Sequence, residues 1–312
     1  MTATEGGTPS RSAPIDTYQP LKESVMYSTP TLATRFARNT FVVRSETPLA
    51  DDQMRRAAPS IFAEGKHGSR SERYTYIPTI EVLRGLRKEG FEPFMVAQGK
   101  SRIEGKTEFT KHMIRMRHVG DSAGQMTKRP EANEIILINS HDGASSYQML
   151  AGVLRFVCCN GLVVGDITND IRIPHKGNIQ GEVIEGAFRV LEDFEAVDAS
   201  IDGMKALDLK PEEEQAFATA ALALRYGERT EGQPPAPITV AQLTEARRIE
   251  DTGGSLWLTM NRIQSNVMQG GQPGRSAQGR RLQSRPVGSI DRTVSLNRAL
   301  WVLAEEMRKL KA

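Results

Sequence analysis

The sequence contains little cysteine, few aromatic residues and no long apolar run. Its two cysteines, Cys158 and Cys159, are adjacent, so they neither staple separate loops nor supply the spaced ligands of a zinc site. No stretch of about 18 apolar residues is present, which excludes a transmembrane helix. The first twenty residues also lack the apolar segment of a secretory signal. We therefore expect a cytoplasmic protein that has no disulfide bonds and does not span a membrane.

Motifs that mark common catalytic sites are also missing. The sequence has no GxxxxGK[ST] phosphate loop, no GxGxxG after a strand, no GxSxG and no HExxH. Ser140, His141 and Asp142 are contiguous, but triad members converge from separate elements, so this tripeptide does not indicate a triad. The five histidines lack metal-ligand spacing, apart from His112 and His118, which would share one face of a strand. We expect no enzyme activity, no metal and no cofactor.

The chain of 312 residues is 38% hydrophobic and 25% charged, which suits one large domain or two ordinary ones. Residues 1–48 begin with a run rich in Thr, Ser, Gly and Pro and are predicted to form a disordered or extended arm. Residues 49–230 are predicted to form an α+β core. Residues 231–312 begin with a proline-rich linker and are predicted to be helical, with a flexible arginine-rich loop at 270–286.

Hydrophobic periodicity predicts the fold class. Ile80, Leu83 and Leu86 follow helical spacing, and Gly90 is typical of a helix end. Apolar or alternating segments follow at 94–98, 109–119, 134–140 and 147–158, as expected for strands, although the last also fits a helix. From residue 181 onward the spacing is again helical, and it predicts a long amphipathic helix over residues 183–197. We expect an α+β fold in which an antiparallel β-meander packs on helices and is followed by a helical C-terminal part.

Charge is distributed unevenly, although the net charge is only +3. Residues 66–117 contain twelve Lys or Arg and six Glu, and residues 275–292 contain five Arg and one Asp. Between them, residues 182–214 contain eleven acidic and three basic residues. Such asymmetry is typical of a surface that binds a polyanion, and equally of a solvated surface with internal charge pairing.

The segment KHMIRMRH, residues 111–118, is the most specific part of this pattern. In a strand, Lys111, Met113, Arg115 and Arg117 share one face, so the cations would repeat at about 7 Å along a phosphate backbone. The candidate DNA-binding residues, which include cations of neighbouring segments, are Arg84, Lys88, Lys100, Arg102, Lys106, Lys111, Arg115, Arg117, His141, Arg155, Lys176, Arg280 and Arg281. Candidate base-stacking platforms, which equally suit a core, are Phe91, Phe94, Phe109, Tyr74 and Tyr76. A basic hairpin that binds nothing is the alternative.

A dense polar run, NSHDGASSY, occupies residues 139–147 between two apolar segments. A hairpin connection needs only about two to five such residues. The excess predicts either a turn whose polar groups bind one another or a binding loop, with the turn favoured.

Several longer motifs are distributed over residues 50–312: RYTYIPTIEVLRGLRKEGFEPF, TKHMIRMRH, NEIILINSHDGASSYQMLAGVLRFVCCNGLVVGD, IPHKG, EDTGGSLW, GRSAQGRR and LNRALWVLAEEM. Together they resemble a plasmid- and prophage-borne family of unknown function, of the YfjQ/YafZ type. One departure is Cys159, where the resemblance leads us to expect Ser before Asn160 and Gly161. The order of helix, basic meander and long helix is similar to ring-forming single-strand annealing proteins of the Redβ, RecT and Rad type. That resemblance implies a DNA groove beside the basic hairpin and subunits assembled side by side.

We therefore expect a single-stranded DNA binding and annealing protein of a mobile genetic element, acting in recombination or DNA processing without catalysis. Its partners would be single-stranded DNA and further copies of itself, in a ring or filament. The alternative is an anti-defence protein of the anti-restriction type, which binds a host protein partner and uses the acidic segment 182–214 to imitate a polyanion. A metal-dependent nuclease using His141, Asp142 and His175 ranks last, because nuclease metals favour carboxylate clusters.

Overall fold

The β-meander forms one antiparallel sheet in which the first six strands lie side by side in sequence order. The computed structural model describes residues 40–65, 68, 76, 78–119, 130–156, 160–165, 170–173, 178–228 and 236–311. Its strands are β1 (Thr40–Arg44), β2 (Phe91–Gly99), β3 (His112–His118), β4 (Glu131–Asn139), β5 (Tyr147–Arg155) and β6 (Asn160–Val163), in that order, and β7 (Ile171–Ile173) also pairs with β5. β1 lies within the predicted arm 1–48, so the folded core extends at least to residue 40.

Eight α-helices are described, and they confirm the predicted α+β class with a helical C-terminal part. They are α1 (Asp51–Ala57), α2 (Thr79–Lys88), α3 (Ile179–Glu192), α4 (Phe194–Lys205), α5 (Pro211–Tyr226), α6 (Val240–Thr244), α7 (Leu256–Gln269) and α8 (Ile290–Lys311). Local sequence fixes several starts. Asn178 accepts a hydrogen bond from the Gly181 N–H, Ser255 accepts one from the Leu258 N–H, and Pro211 occupies the first position of α5.

Both faces of the sheet are covered. On β3, Ile114 and Met116 contact a first core that includes Leu83 of α2 and Val183 of α3. Met113 points the other way and packs with Ile290 of α8. We call this side the second face; its core residues are Met95, Ala97, Met113, Ile136, Ile138, Leu150, Val163 and Ile290. A strand covered on two sides leaves no broad solvent-facing surface for a ligand.

The C-terminal helices share a core with the end of the meander. Val153 of β5 and Leu162 of β6 pack with Phe217 of α5 and Leu300 of α8. The indole N–H of Trp257 donates to Glu131 on β4, at 3.1 Å. Side chains of the described residues 236–311 therefore contribute to a core that they share with the sheet.

The arginine-rich loop contains a short antiparallel hairpin, β8 (Pro273–Arg275) and β9 (Arg281–Gln283). Arg275 N–H donates to the Pro237 carbonyl at 3.1 Å, and a Cβ added at Gly274 would lie 2.0 Å from that oxygen. Glycine is therefore required where the hairpin meets residue 237. Among the described helices, none combines the length and apolar character needed to cross a bilayer.

Candidate nucleic-acid interface

The β2–β3 turn carries four of the predicted cations but has no surplus of positive charge. Lys100 lies 4.5 Å from the centroid of the Phe41 ring, and Arg102 is exposed. Lys106 lies 3.1 Å from Asp142 of the β4–β5 turn, and Lys111 lies 2.6 Å from Asp291 at the start of α8. Glu104 and Glu108 lie in the same turn. These four carboxylates balance the four cations.

The ion pair between Lys111 and Asp291 connects this turn to a second group of cations. The next residue along α8, Arg292, donates from Nη2 to the carbonyl of Arg225 at 2.7 Å, and Arg225 donates to the carbonyl of Arg285 at 3.0 Å. Burial lowers the pKa of the Arg225 guanidinium and the charge of Arg292 lowers it further, against an opposing effect of Tyr226. Three arginines therefore crowd together where the C-terminal end of α5 meets the start of α8.

The β8–β9 hairpin, which ends two residues before Arg285, carries three more arginines. Arg275, Arg280 and Arg281 are exposed, and Arg275 donates across the turn to the Gly279 carbonyl at 3.1 Å. We call the whole group the arginine cluster: Arg225, Arg275, Arg280, Arg281, Arg285 and Arg292. In the part of the chain that the structure describes, none of the six lies within 4.0 Å of a carboxylate oxygen. Its charge is therefore available to an external anion.

Two predicted contact residues on β3 face the interior. The sequence correctly placed Arg115 and Arg117 on the face of Met113, but that face is covered, and each arginine is only 4% exposed. Arg115 Nε lies 2.5 Å from Glu134 Oε2, and Arg117 Nη2 lies 2.9 Å from Glu134 Oε1. The expectation that they point to solvent is wrong, because Glu134 of β4 neutralises part of their charge inside the protein.

Arg155 and His141 are also buried, contrary to their assignment as contact residues. Arg155 pairs with Asp251 and donates to the Glu250 carbonyl at 3.0 Å, which links β5 to the segment before α7. His141 is completely buried, with Nε2 3.2 Å from the hydroxyl of Thr79. Both side chains therefore hold the fold together instead of facing a ligand.

His141 belongs to a network of buried polar groups. The Thr79 hydroxyl also lies 2.9 Å from Nε2 of His112 and accepts from the Asn139 amide at 3.0 Å. Nδ1 of His112 lies 2.9 Å from the Ser60 hydroxyl. Burial, together with the neighbouring His141, lowers the pKa of His112 from 6.5 to about 3. The network is uncharged at His112 near neutral pH, which suits a structural role.

The polar run 139–147 forms a turn whose groups bind one another. Ser145 N–H donates to the Ser140 hydroxyl at 2.8 Å, and Ala144 N–H donates to Asp142 at 3.0 Å. Burial alone would raise the pKa of Asp142, but the Ala144 N–H and Lys106 hold it below its ordinary value. The turn interpretation is therefore favoured over a binding loop.

The remaining predicted residues divide into two sets. Arg84 and Lys88 are exposed on α2, where Arg84 pairs with Glu81 of the same helix at 2.5 Å. Lys176 lies outside the described residues, as does His175.

Arg225 was missed by the sequence analysis, since an arginine near the end of an alanine-rich helix carries no local signal. Among the described residues, no three His, Cys, Asp or Glu side chains gather as metal ligands would.

Comparisons with known proteins identify relatives but assign no activity. A family model described as "Domain of unknown function (DUF932)" matches residues 66–301. UPF0380 protein YafZ of Escherichia coli (strain K12) is 48% identical over 276 residues, which cover 88% of this chain and 97% of that protein. UPF0380 protein YfjQ of the same strain shows the same identity and coverage. No solved structure matches the chain.

Proposed function

The chain belongs to the DUF932 family, and on that premise we propose that it is a non-catalytic protein that binds single-stranded nucleic acid through its arginine cluster. The observation that carries the proposal is a group of six arginines, contributed by α5, the β8–β9 hairpin and the start of α8, with no carboxylate within ion-pair distance among the described residues. Arginines without a carboxylate partner favour a polyanion, because each phosphate contact releases a condensed counterion.

The position of the cluster extends the candidate surface onto the sheet. Lys111 contacts Asp291 beside Arg292, so the arginine cluster adjoins the β2–β3 turn. At that end of the sheet the ring of Phe41 is 46% exposed beneath Lys100. Single-strand binding combines a cationic track with aromatic rings on which bases stack. Of the platforms suggested by sequence, Phe91 and Phe94 are buried in the core, so Phe41 is the better candidate.

The proposal also includes annealing, self-assembly into a ring or filament, and a role in the recombination of a plasmid or prophage. They rest on the resemblance of the element order to annealing proteins and on the family likeness of the motifs. Mass photometry with and without single-stranded DNA tests the assembly. A monomer at all DNA concentrations contradicts the ring or filament and leaves binding to be judged by titration.

The anti-defence alternative receives less support from the geometry. Several carboxylates of the acidic segment 182–214 have partners within the protein: Glu214 lies 2.6 Å from Arg262, Glu213 contacts Lys311, and Asp198 accepts from Asn133 at 3.1 Å. Internal pairing reduces the resemblance of this surface to a polyanion. A pull-down from host lysate that recovers one stoichiometric protein partner would favour this alternative.

A fluorescence-anisotropy titration with a labelled single-stranded oligonucleotide tests binding. We expect Arg280→Glu with Arg281→Glu to weaken binding at low salt, and to lower the slope of log K against log salt by about 0.7 for each lost phosphate contact. The control is Arg189→Glu with Lys309→Glu, which makes the same change in net charge at exposed sites on α3 and α8.

Equal loss of binding in the two double variants would show that only net charge matters and would contradict a localised site. Absence of binding by the unmodified protein at low salt would contradict the proposed function itself. Comparison with a duplex of the same sequence then establishes the preference for single strands.

A further inference from the structure

A cavity of about 280 Å³ lies where the corner between α3 and α4 meets α8. Because α3 ends at Glu192 and α4 begins at Phe194, both helices contribute to its lining, α3 through Val190 and α4 through Val197. Residues of α8 and of the sheet complete the lining. Small-molecule sites usually have volumes of about 300–1,000 Å³, so this cavity suits a small ligand.

Short side chains leave this space open. Ala196 and Ser200 lie one turn apart on α4 and line the cavity, as does Ala151 of β5. The Ser200 hydroxyl donates to Glu305 of α8, so the two helices are joined beside the cavity. A larger side chain at position 196 would therefore occupy the space instead of widening it.

Much of the lining is apolar. Trp301 of α8 contributes to it and is only 4% exposed, and the lining side chains of Val164, Val190 and Val197 are also buried. A ligand with an apolar body removes further apolar surface from water when it occupies such a site. The lining therefore favours an aliphatic or aromatic body over a fully polar one.

The charged groups around the cavity leave one carboxylate without a partner. Three lining carboxylates are paired: Asp170 with Arg298, Glu305 with Arg308, and Glu306 with Lys309, which also lines the cavity. Asp193, between α3 and α4, is the fourth lining carboxylate and is exposed. Among the described residues, no cation lies within 4.0 Å of its oxygens. The charges of these seven side chains sum to −1, and the excess belongs to Asp193.

We propose that this cavity binds a small aliphatic amine. The alkyl body packs against Trp301 and the buried valines, and the ammonium group pairs with Asp193 at the exposed edge. A protonated alkylamine combines the two features that the lining selects, since it has an apolar chain and a single positive charge at one end. An anion is disfavoured here, so the proposal does not depend on nucleic-acid binding by the arginine cluster.

Nuclear magnetic resonance tests the site, because the chain has two tryptophans and therefore two indole N–H signals. The full chain, labelled with ¹⁵N, is titrated with pentylamine. We expect a saturable shift of the Trp301 signal, which Trp301→Phe identifies by its loss. The signal of Trp257, which does not line the cavity, should stay in place. A Trp301 signal that does not shift, or that shifts without saturation, overturns the proposal.

Pentanol has the same alkyl body without the charge. We expect it to bind about two- to fivefold more weakly, as expected for the loss of an exposed ion pair. Asp193→Asn should weaken pentylamine binding by the same factor and leave pentanol binding unchanged. Glu192→Gln, at the adjacent exposed carboxylate outside the lining, is its matched control and should have no effect. Equal affinities for the two ligands, or in the two variants, overturn the assignment of an amine.

A second pair of variants tests the position of the ligand. Ala196 and Ala199 are both exposed on α4, but only Ala196 lines the cavity. Ala196→Leu should weaken pentylamine binding at least about tenfold, whereas Ala199→Leu should leave it unchanged. Equal affinities in these two variants overturn the assignment to the cavity. If circular dichroism shows that Ala196→Leu does not fold, the comparison of Asp193→Asn with Glu192→Gln decides, since both of those positions are exposed.

Discussion

Replacing Glu134 with glutamine removes the carboxylate that Arg115 and Arg117 share. The side chain is about the same size, so the change is mainly one of charge. Glu134 is 1% exposed and accepts three hydrogen bonds from Arg115 and Arg117. After the substitution, two buried guanidinium groups face an amide that offers one acceptor oxygen and two competing N–H donors.

The expected cost is set by the burial of these arginines. Removing one partner of a buried ion pair typically destabilises a protein by about 3–5 kcal/mol, because the remaining charge is left uncompensated. We expect a decrease of that size in the free energy of unfolding at neutral pH, measured by urea denaturation followed by tryptophan fluorescence. The matched control is Glu185→Gln, since Glu185 is 64% exposed and pairs with Arg189 on the surface of α3. Its loss should cost at most about 1 kcal/mol.

The pH dependence gives an independent check. Burial alone would raise the pKa of Glu134, but the charges of Arg115, Arg117 and Arg44 lower it below its ordinary value of 4.5. A carboxylate with a depressed pKa stabilises the folded state above its unfolded pKa, and this contribution is lost as the pH falls through the folded pKa. The difference between the unmodified protein and Glu134→Gln should therefore be largest near neutral pH and shrink below pH 4.5. A difference under about 1 kcal/mol, no larger than a surface pair contributes, would refute the reasoning.

Two further predictions concern other buried groups. Gly161→Ala places a Cβ 2.1 Å from Nη1 of Arg115 and should lower the free energy of unfolding by about 1–3 kcal/mol, whereas Gly105→Ala, in the exposed β2–β3 turn, meets no atom within 4 Å and reports only the backbone cost of φ +73°. Equal losses in the two variants contradict a steric clash with Arg115. The pKa of His112 falls from 6.5 to about 3, so below pH 6.5 the unfolded state binds more protons and stability decreases on acidification, by up to about 1.4 kcal/mol per pH unit. His112→Gln should abolish that part of the slope between pH 4.5 and 6.5, and an unchanged slope in urea titrations would show that other groups produce it.

The arrangement within β3 was predictable from sequence, but its environment was not. Alternation places Met113, Arg115 and Arg117 on one face whatever surrounds the strand, because it depends only on local geometry. Whether that face meets solvent depends on two residues outside the strand. Glu134 lies on the next strand, and Ile290 begins α8, far along the chain. Periodicity within one segment holds no information about such distant partners, so an internal ion pair resembled a basic surface.

In the helical regions, too, the sequence predicted local structure but not how the elements pack. Periodicity from residue 181 predicted one long helix, whereas the structure has α3 and α4 separated at Asp193. The arginine cluster is also tertiary in origin. Arg225 lies near the end of one helix, Arg285 follows a hairpin and Arg292 lies near the start of another helix. Only packing brings the guanidinium of Arg292 to the carbonyl of Arg225, and that of Arg225 to the carbonyl of Arg285.

Pairing within the structure changes which basic segment is the better candidate interface. In the segment 66–117, Arg115 and Arg117 are bound to Glu134, Arg87 contacts Asp51 and Glu92, and the turn cations face an equal number of carboxylates. In the segment 275–292, the one aspartate is Asp291, and it pairs with Lys111 of another segment. Asp291 therefore does not neutralise the arginines of its own segment. Both segments have a surplus of positive charge in the sequence. In the folded protein, internal ion pairs neutralise much of the first surplus and leave the arginines of the second without carboxylate partners among the described residues. A polyanion is therefore expected to engage the β8–β9 hairpin before the strand that the sequence favoured.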